Sequence, residues 1–328
     1  MNKTAFNSTR FSVGDAAVSS GMVFLQAELE KRDPKVREPL TSVTWSRDIV
    51  VKSGGGYVDF TSVFSVNYGT AGPNMFGLMG TETNTIPTMQ ANISKDIYPV
   101  YKWGNVMKVP YFDQAQLQQV GRSLDDMLDK GIRLNWNKSL DLMCYKGFGD
   151  YGGIMNNSNI TASIVSEGDS GSTEWRNKTP DDILFDINSG LYLTWEASEF
   201  DITGMANYML VPPLQYAILS QPMTTAGFNS TLEYILNNNI AREQGVDFRI
   251  MPCRWCIGAG VPDGTAPRDR AVLYVNDEDR LYMDIPVPIQ RVMTQPSVQE
   301  LAYLTAYAGL IGVPKFLYTQ PALYMDGV

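Results

Sequence analysis

The chain has 328 residues, 44% hydrophobic and 19% charged, which is enough for one large domain or two ordinary ones and too apolar for a disordered protein. Its formal net charge of −9 excludes a protein that holds nucleic acid by neutralising phosphates over its surface. It contains no histidine, which closes Ser-His-Asp and Cys-His machinery, His-ligated metals and imidazole pH switching.

Residues 1–20 are rich in Ser, Asn and Thr and read as a flexible arm. They lack the apolar core of a signal peptide, and no run approaches the ~18 apolar residues of a membrane helix, so a soluble, non-exported chain is expected. Triplets such as Asn229-Ser230-Thr231 then carry no meaning for glycosylation. Residues 21–40 hold a short amphipathic helix with Phe24, Leu25 and Leu29, broken at Pro34 and suited to bind a neighbour or its own body.

Residues 42–66 alternate apolar and polar positions (Val43, Trp45, Ile49 and Val51, then Tyr57, Val58, Phe60, Val63, Phe64 and Val66), which predicts strand. Gly54-Gly55-Gly56 follows Lys52-Ser53 rather than preceding a lysine, so it reads as a turn or hinge and not as a phosphate loop. Residues 67–90 are long and rich in Gly, Thr and Asn, which suits the tip of a projecting loop. Residues 91–110 return as a strand. The pair makes a two-stranded arm that is only marginally stable alone and must lie on another subunit.

From Asp113 to Lys146 the spacing predicts one continuous helix. Asp113 caps it with Gln116 at the reciprocal position. Leu117, Val120, Leu124, Met127, Leu128, Ile132, Trp136, Leu140 and Met143 form its apolar stripe, and Gly147 is the stop signal. At ~1.5 Å per residue it would be roughly 50 Å long, a spine for a flat or elongated subunit. Gly121 and Gly131 weaken it by about 1 kcal/mol each.

Asp169-Ser170-Gly171-Ser172 matches an aspartic-protease tetrad, but there is no second copy and no flanking hydrophobic strand, so it reads as a polar turn. Thr179 and Pro180 open a helix that runs to about Ser198. A strand over 207–212, a short helix after Pro213, a helix capped by Asn229 or Ser230, and a strand over 246–251 imply a mixed α/β domain. Cys253 and Cys256 form a single C-x-x-C. With no histidine they cannot complete a zinc site, and with Cys144 they read as buried thiols in a reducing compartment. Residues 258–264 fail the dinucleotide fingerprint, since Asp263 stands where the third glycine should be. Residues 271–275 and 280–285 predict a hairpin around Asn276–Asp279, whose acids lack calcium-loop spacing. A last helix over 298–310 and closing strands over 313–325 complete the chain, with a packed C-terminus. No catalytic, cofactor-binding or metal-ligating residue is assigned.

Taken in order, these parts resemble the major capsid proteins of tailed bacteriophages, the Hong Kong 97-type family whose fold is shared with encapsulins and the herpesvirus capsid floor. TSVTWSRDIVVKSGGGYVDF resembles the lead into that family's extended loop, and IPTMQANISKDIYPVYKWGNVMKVPYFDQAQLQ its return into the spine helix. NYMLVPPLQYAILSQPMTTAGFNSTLEYILNNN resembles an axial-domain segment, and DRAVLYVNDEDRLYMDIPVPIQ with GVPKFLYTQPALYMDGV the closing β-segment. The resemblance implies an α+β fold: an N-terminal arm over 1–42 and a peripheral domain over 43–56 and 109–178 with its spine helix at 113–146. An extended β-hairpin loop would span 57–108, an axial α/β domain 179–270 and a closing peripheral/axial β-segment 271–328.

By the same resemblance the role is structural: an icosahedral shell of hexamers and pentamers around double-stranded DNA, in the virion. Partners would be copies of the chain itself, with scaffolding, portal and decoration proteins besides. DNA would be enclosed without specific binding, and no membrane, cofactor or metal is involved. In some members a Lys and an Asn of neighbouring subunits join covalently, but no matching motif is present. An encapsulin-like nanocompartment is the nearest alternative. From other classes, a histidine-free enzyme would need two facing carboxylates about 5–9 Å apart in a cleft. A carbohydrate- or receptor-binding module would cluster exposed aromatics, which Trp136 and Trp175 do not do in sequence.

Overall fold

A computed structural model describes residues 39–71, 88–119, 123–223, 230–261 and 267–328. The chain divides into two units between Ser42 and Val43, and the larger one, Val43–Val328, carries every element below. Residues 1–38 of the arm expected over 1–42, most of the loop tip over 67–90 and Gly121 lie outside the described residues.

The unit opens with α1 (Trp45–Asp48), a single helical turn, and β1 (Val50–Ser53). Alternation alone predicts strand here. The turn forms because buried Asp141 accepts hydrogen bonds from the backbone N–H groups of Thr44 and Trp45, at 2.9 and 3.2 Å. After three glycines comes β2 (Phe60–Ala71), which pairs with the first half of β3 (Thr88–Pro110), from Phe60 opposite Pro99 to Ala71 opposite Thr88. β3 has 23 residues, several times the usual length of about 5–6.

β3 runs into α2 (Tyr111–Gln119), followed by α3 (Leu124–Lys146). The continuous helix expected over 113–146 is therefore two helices. Ser123 has extended dihedrals (φ −98°, ψ 120°), and its hydroxyl accepts from the Asp126 N–H at 3.3 Å, so α3 has its own N-cap. The predicted stripe continues on α3, where Ile132, Trp136, Leu140 and Met143 are buried, while α2 buries nothing. Gly147 ends α3 at φ +72°, a conformation that favours glycine.

Short strands β4 (Gly147–Phe148), β5 (Tyr151–Gly152) and β6 (Thr161–Ile164) precede α4 (Pro180–Ala197). Thr179 and Asp182 form a reciprocal capping box at its start. β7 (Tyr208–Val211), α5 (Pro213–Leu219), α6 (Thr231–Asn237), α7 (Ile240–Glu243) and β8 (Arg249–Pro252) follow, with Ser230 as the α6 cap. The chain closes with β9 (Arg270–Tyr274), β10 (Leu281–Ile285), β11 (Val287–Ser297), β12 (Ala302–Gly312), β13 (Pro314–Phe316) and β14 (Leu323–Asp326). The end of the chain is packed, with Tyr324 and Val328 buried.

Three larger sheets result: β6-β14-β9-β7-β8, β1-β10-β13 and β11-β12-β3-β2. One core joins α3 to the first two sheets through Trp136, Tyr145, Tyr274 and Met283. A second lies under α4 around Ile187, Leu191, Met209 and Leu273.

Two expectations are corrected here. Residues 271–285 do not form a hairpin. β9 lies between β14 and β7, and β10 lies between β1 and β13, so each strand already has both partners in a different sheet. Asn207 Oδ1 accepts from the Asn276 N–H at 2.8 Å and holds the chain where it turns from one sheet to the other. Residues 298–310 are not a helix. β12 pairs with both β11 and β3, burying Thr305 and Tyr307 on one face and half-burying Leu304, Ala306 and Ala308 on the other. Gly309 is needed there, since a Cβ would come 2.6 Å from the Trp136 ring.

Candidate assembly surface

The β2–β3 hairpin has two unlike faces. Directly opposite residues of an antiparallel pair share a face. Phe60, Phe64, Val66 and Tyr68 of β2 therefore lie with Met89, Ile93 and Ile97 of β3. All seven are exposed, including Phe64 at 65%, Tyr68 at 70% and Ile93 at 66%. Lys95 is the one cation among them, its ammonium 5.6 Å from the Phe64 ring centroid. The other face carries Ser65, Asn67, Asn92, Ser94 and Asp96, with the Ser65 and Ser94 hydroxyls hydrogen-bonded at 2.5 Å. A ribbon with one apolar and one polar face is built to lie on a surface.

Burying these side chains gains about 1.5–3 kcal/mol each, and association costs about 4–15 kcal/mol. Seven such residues can offset that cost. A second exposed apolar group sits where β12 begins: Tyr111, Phe112, Val298, Leu301 and Tyr303, tied together by the Tyr111 N–H donating to the Leu301 carbonyl at 2.8 Å.

The buried carboxylates are committed to structure. Asp48 is bound by Arg47, by the Tyr145 hydroxyl and by the Tyr208 hydroxyl at 3.0 Å. Asp141 takes Trp255 Nε1 at 2.7 Å and Arg254 at 3.0 Å besides the α1 backbone. Asp186 takes Ser166 at 2.9 Å, Trp175 Nε1 at 3.1 Å and Lys178 at 2.5 Å. Burial raises its carboxyl above the usual range in spite of Lys178. Asp326 pairs with Arg270 at 2.6 Å and accepts from the Val261 N–H.

The motifs singled out in the sequence are placed as follows. Cys144, Cys253 and Cys256 are free and buried. Asp169–Ser172 is a tight turn with Gly171 at φ +72°. Trp175 is fully buried, and Trp136 packs edge-to-face on Trp103 at 5.1 Å, so neither offers a binding platform. No helix among the described residues is long and apolar enough to cross a membrane. The sequence signal for the hairpin face was its period-two alternation, FTSVFSVNY against MQANISKDI, which also marks which face needs cover.

The fold is similar to that of the capsid of Myoviridae phage XM1, at 15% identity and a TM-score of 0.76, covering 92% of this chain and 98% of that one. The capsid of a native GTA particle matches at 9% identity and 0.62, over 97% and 99%. The virus-like particle from Pyrococcus furiosus matches at 13% and 0.50, over 85% and 91%. The fold is thus the mixed helix-and-sheet fold of Hong Kong 97-type capsid proteins. A family profile described as major capsid protein matches residues 76–328. The chain belongs to the major capsid protein family, and it is a structural capsid protein rather than an enzyme. No curated protein matches it by sequence.

Proposed function

We propose that copies of this chain, grouped as hexamers and pentamers, close into an icosahedral shell around the double-stranded DNA of a tailed phage. The observation that carries this reading is the apolar face of the β2–β3 hairpin, whose exposed side chains need the surface of another subunit. In this reading 1–42 is an arm, 57–108 an extended loop, 43–56 with 109–178 the peripheral domain, 179–270 the axial domain, and 271–328 the closing segment. Subunits assemble in the host cytoplasm with scaffolding and portal proteins, and decoration proteins bind the finished virion. The net charge of −9 suits a container that encloses DNA and lets it go.

The test is sedimentation of Phe64→Asp combined with Ile93→Asp. Both sites are exposed, so unfolding should change by no more than about 0.5 kcal/mol. Fast-sedimenting particles should be lost. Undiminished assembly would contradict the role given to this face. Particles from productive cells should protect DNA from nuclease, whereas a fixed protein cargo without DNA would favour a nanocompartment.

A further inference from the structure

The hairpin can only reach a neighbour if it leaves the body in one direction, and that direction is set at its root. β2 is joined to β1 through Gly54, Gly55 and Gly56, at φ +115°, +109° and +75°, and a Cβ at any of them would touch nothing within 4 Å. The glycines carry no side chain to fix their direction, although the Gly54 N–H donates to the Ile285 carbonyl at 3.3 Å and Val58 beyond them packs on Val100, Val287 and Leu310. β3 is different. It pairs with β2 up to Pro99 and with β12 from Val100 onward, so the root of the hairpin falls between these two residues. Tyr98 stands one residue before Pro99 at the root, and its ring reaches back to the body.

Its contacts there are the Tyr151 ring, at 6.3 Å between centroids, and Lys315, whose ammonium lies 5.3 Å from the Tyr98 ring centroid and 5.0 Å from that of Tyr282. Lys315 stands opposite Tyr282 in the β10–β13 ladder and pairs with Asp284, and its side chain is 1% exposed. The exposed Lys52 lies 4.2 Å from the other ring of the group, Tyr282, and donates to the Glu278 carbonyl at 3.4 Å. The electron-rich face of Tyr98 adds to the Asp284 carboxylate in surrounding the Lys315 ammonium. A buried ion pair is a poor device for stability, since well-packed apolar residues usually serve as well. A buried lysine aimed at a ring therefore points to geometry. On the other side of β3, Tyr101 packs on Phe148 at 4.9 Å, and Trp103 packs on Trp136 and donates to Ser139 at 3.1 Å.

We infer that Lys315 is a positioning residue for shell assembly: its buried ammonium holds Tyr98 and so fixes the direction in which the β2–β3 hairpin leaves the subunit. This rests on the shell reading above. The experiment compares particles from wild type, Lys315→Met/Asp284→Asn, Tyr98→Leu and Tyr98→Phe by electron microscopy, with thermal unfolding of each. The double variant removes the charges together and leaves no orphan carboxylate.

The expected result is near-wild-type melting with uniform closed shells lost in the double variant and in Tyr98→Leu, replaced by open or mixed-size products. Tyr98→Phe keeps the ring and should keep the shells. If the double variant does not fold, the contrast between the Leu and Phe variants at half-buried Tyr98 decides alone. Uniform shells from Tyr98→Leu would overturn the inference and leave the shell reading intact. Absence of shells from wild type would count instead against the shell reading.

Discussion

At the scale of single residues, the buried polar side chains act as joints between elements. Tyr307 of β12 donates to Asp129 of α3 at 2.5 Å. Burial, and then that carboxylate, push its phenol from 10.0 up to about 12. The folded value lies above the unfolded one, so this stability is present in full below pH 10 and is lost as pH rises through about 12. Tyr307→Phe should lower the urea midpoint at neutral pH and flatten its fall between pH 10 and 12, whereas an unchanged alkaline fall would place the titration elsewhere. Lys178 and Asp186 are 0% and 2% exposed. Lys178→Met strands a buried carboxylate and should cost about 3–5 kcal/mol by denaturant unfolding. A loss below about 1 kcal/mol would show that the pair is dispensable. Little of this network is legible in the sequence. The Thr179–Asp182 capping box is, because both partners lie within one turn. The partners of the Asp48 carboxylate are up to 160 residues away, and no local pattern brings them together.

At the scale of elements, local signals held where they stood unopposed and failed where pairing decided. The α4 start, the β7 strand and the apolar face of α3 follow from caps and periodicity. β12 misleads because Ala302, Leu304, Ala306 and Ala308 carry helix propensity, yet strands on both sides take its backbone groups. The 271–285 stretch misleads because a polar turn between two apolar runs looks the same whether the runs pair together or enter separate sheets. The break before α3 has a local cause in Ser123, whose hydroxyl competes for the helix backbone and caps the next turn. Ser123→Ala should cost about 1 kcal/mol in unfolding of the dissociated subunit. Gly131 is exposed in the middle of α3, and a Cβ there would meet nothing within 4 Å. Gly131→Ala should therefore gain about 1 kcal/mol. A loss at Gly131 would mean that the helix surface there is already in contact.

At the scale of the whole molecule, the subunit is a stable body with a surface that is incomplete alone. Its two larger packed cores lie under α3 and α4, while the hairpin leaves seven apolar side chains in water. Weak contacts of this kind become strong when every copy makes several of them. The sequence shows that the loop needs a partner, since its alternation leaves one face apolar. It does not show where the loop points, because that depends on Lys315, more than 200 residues after Tyr98. The most direct measurement is electron microscopy of the purified protein, with sedimentation alongside at rising concentration. Closed shells, or rings of hexamers and pentamers, are the predicted result. A monomer or dimer that stays unchanged at high concentration and across salt would contradict it.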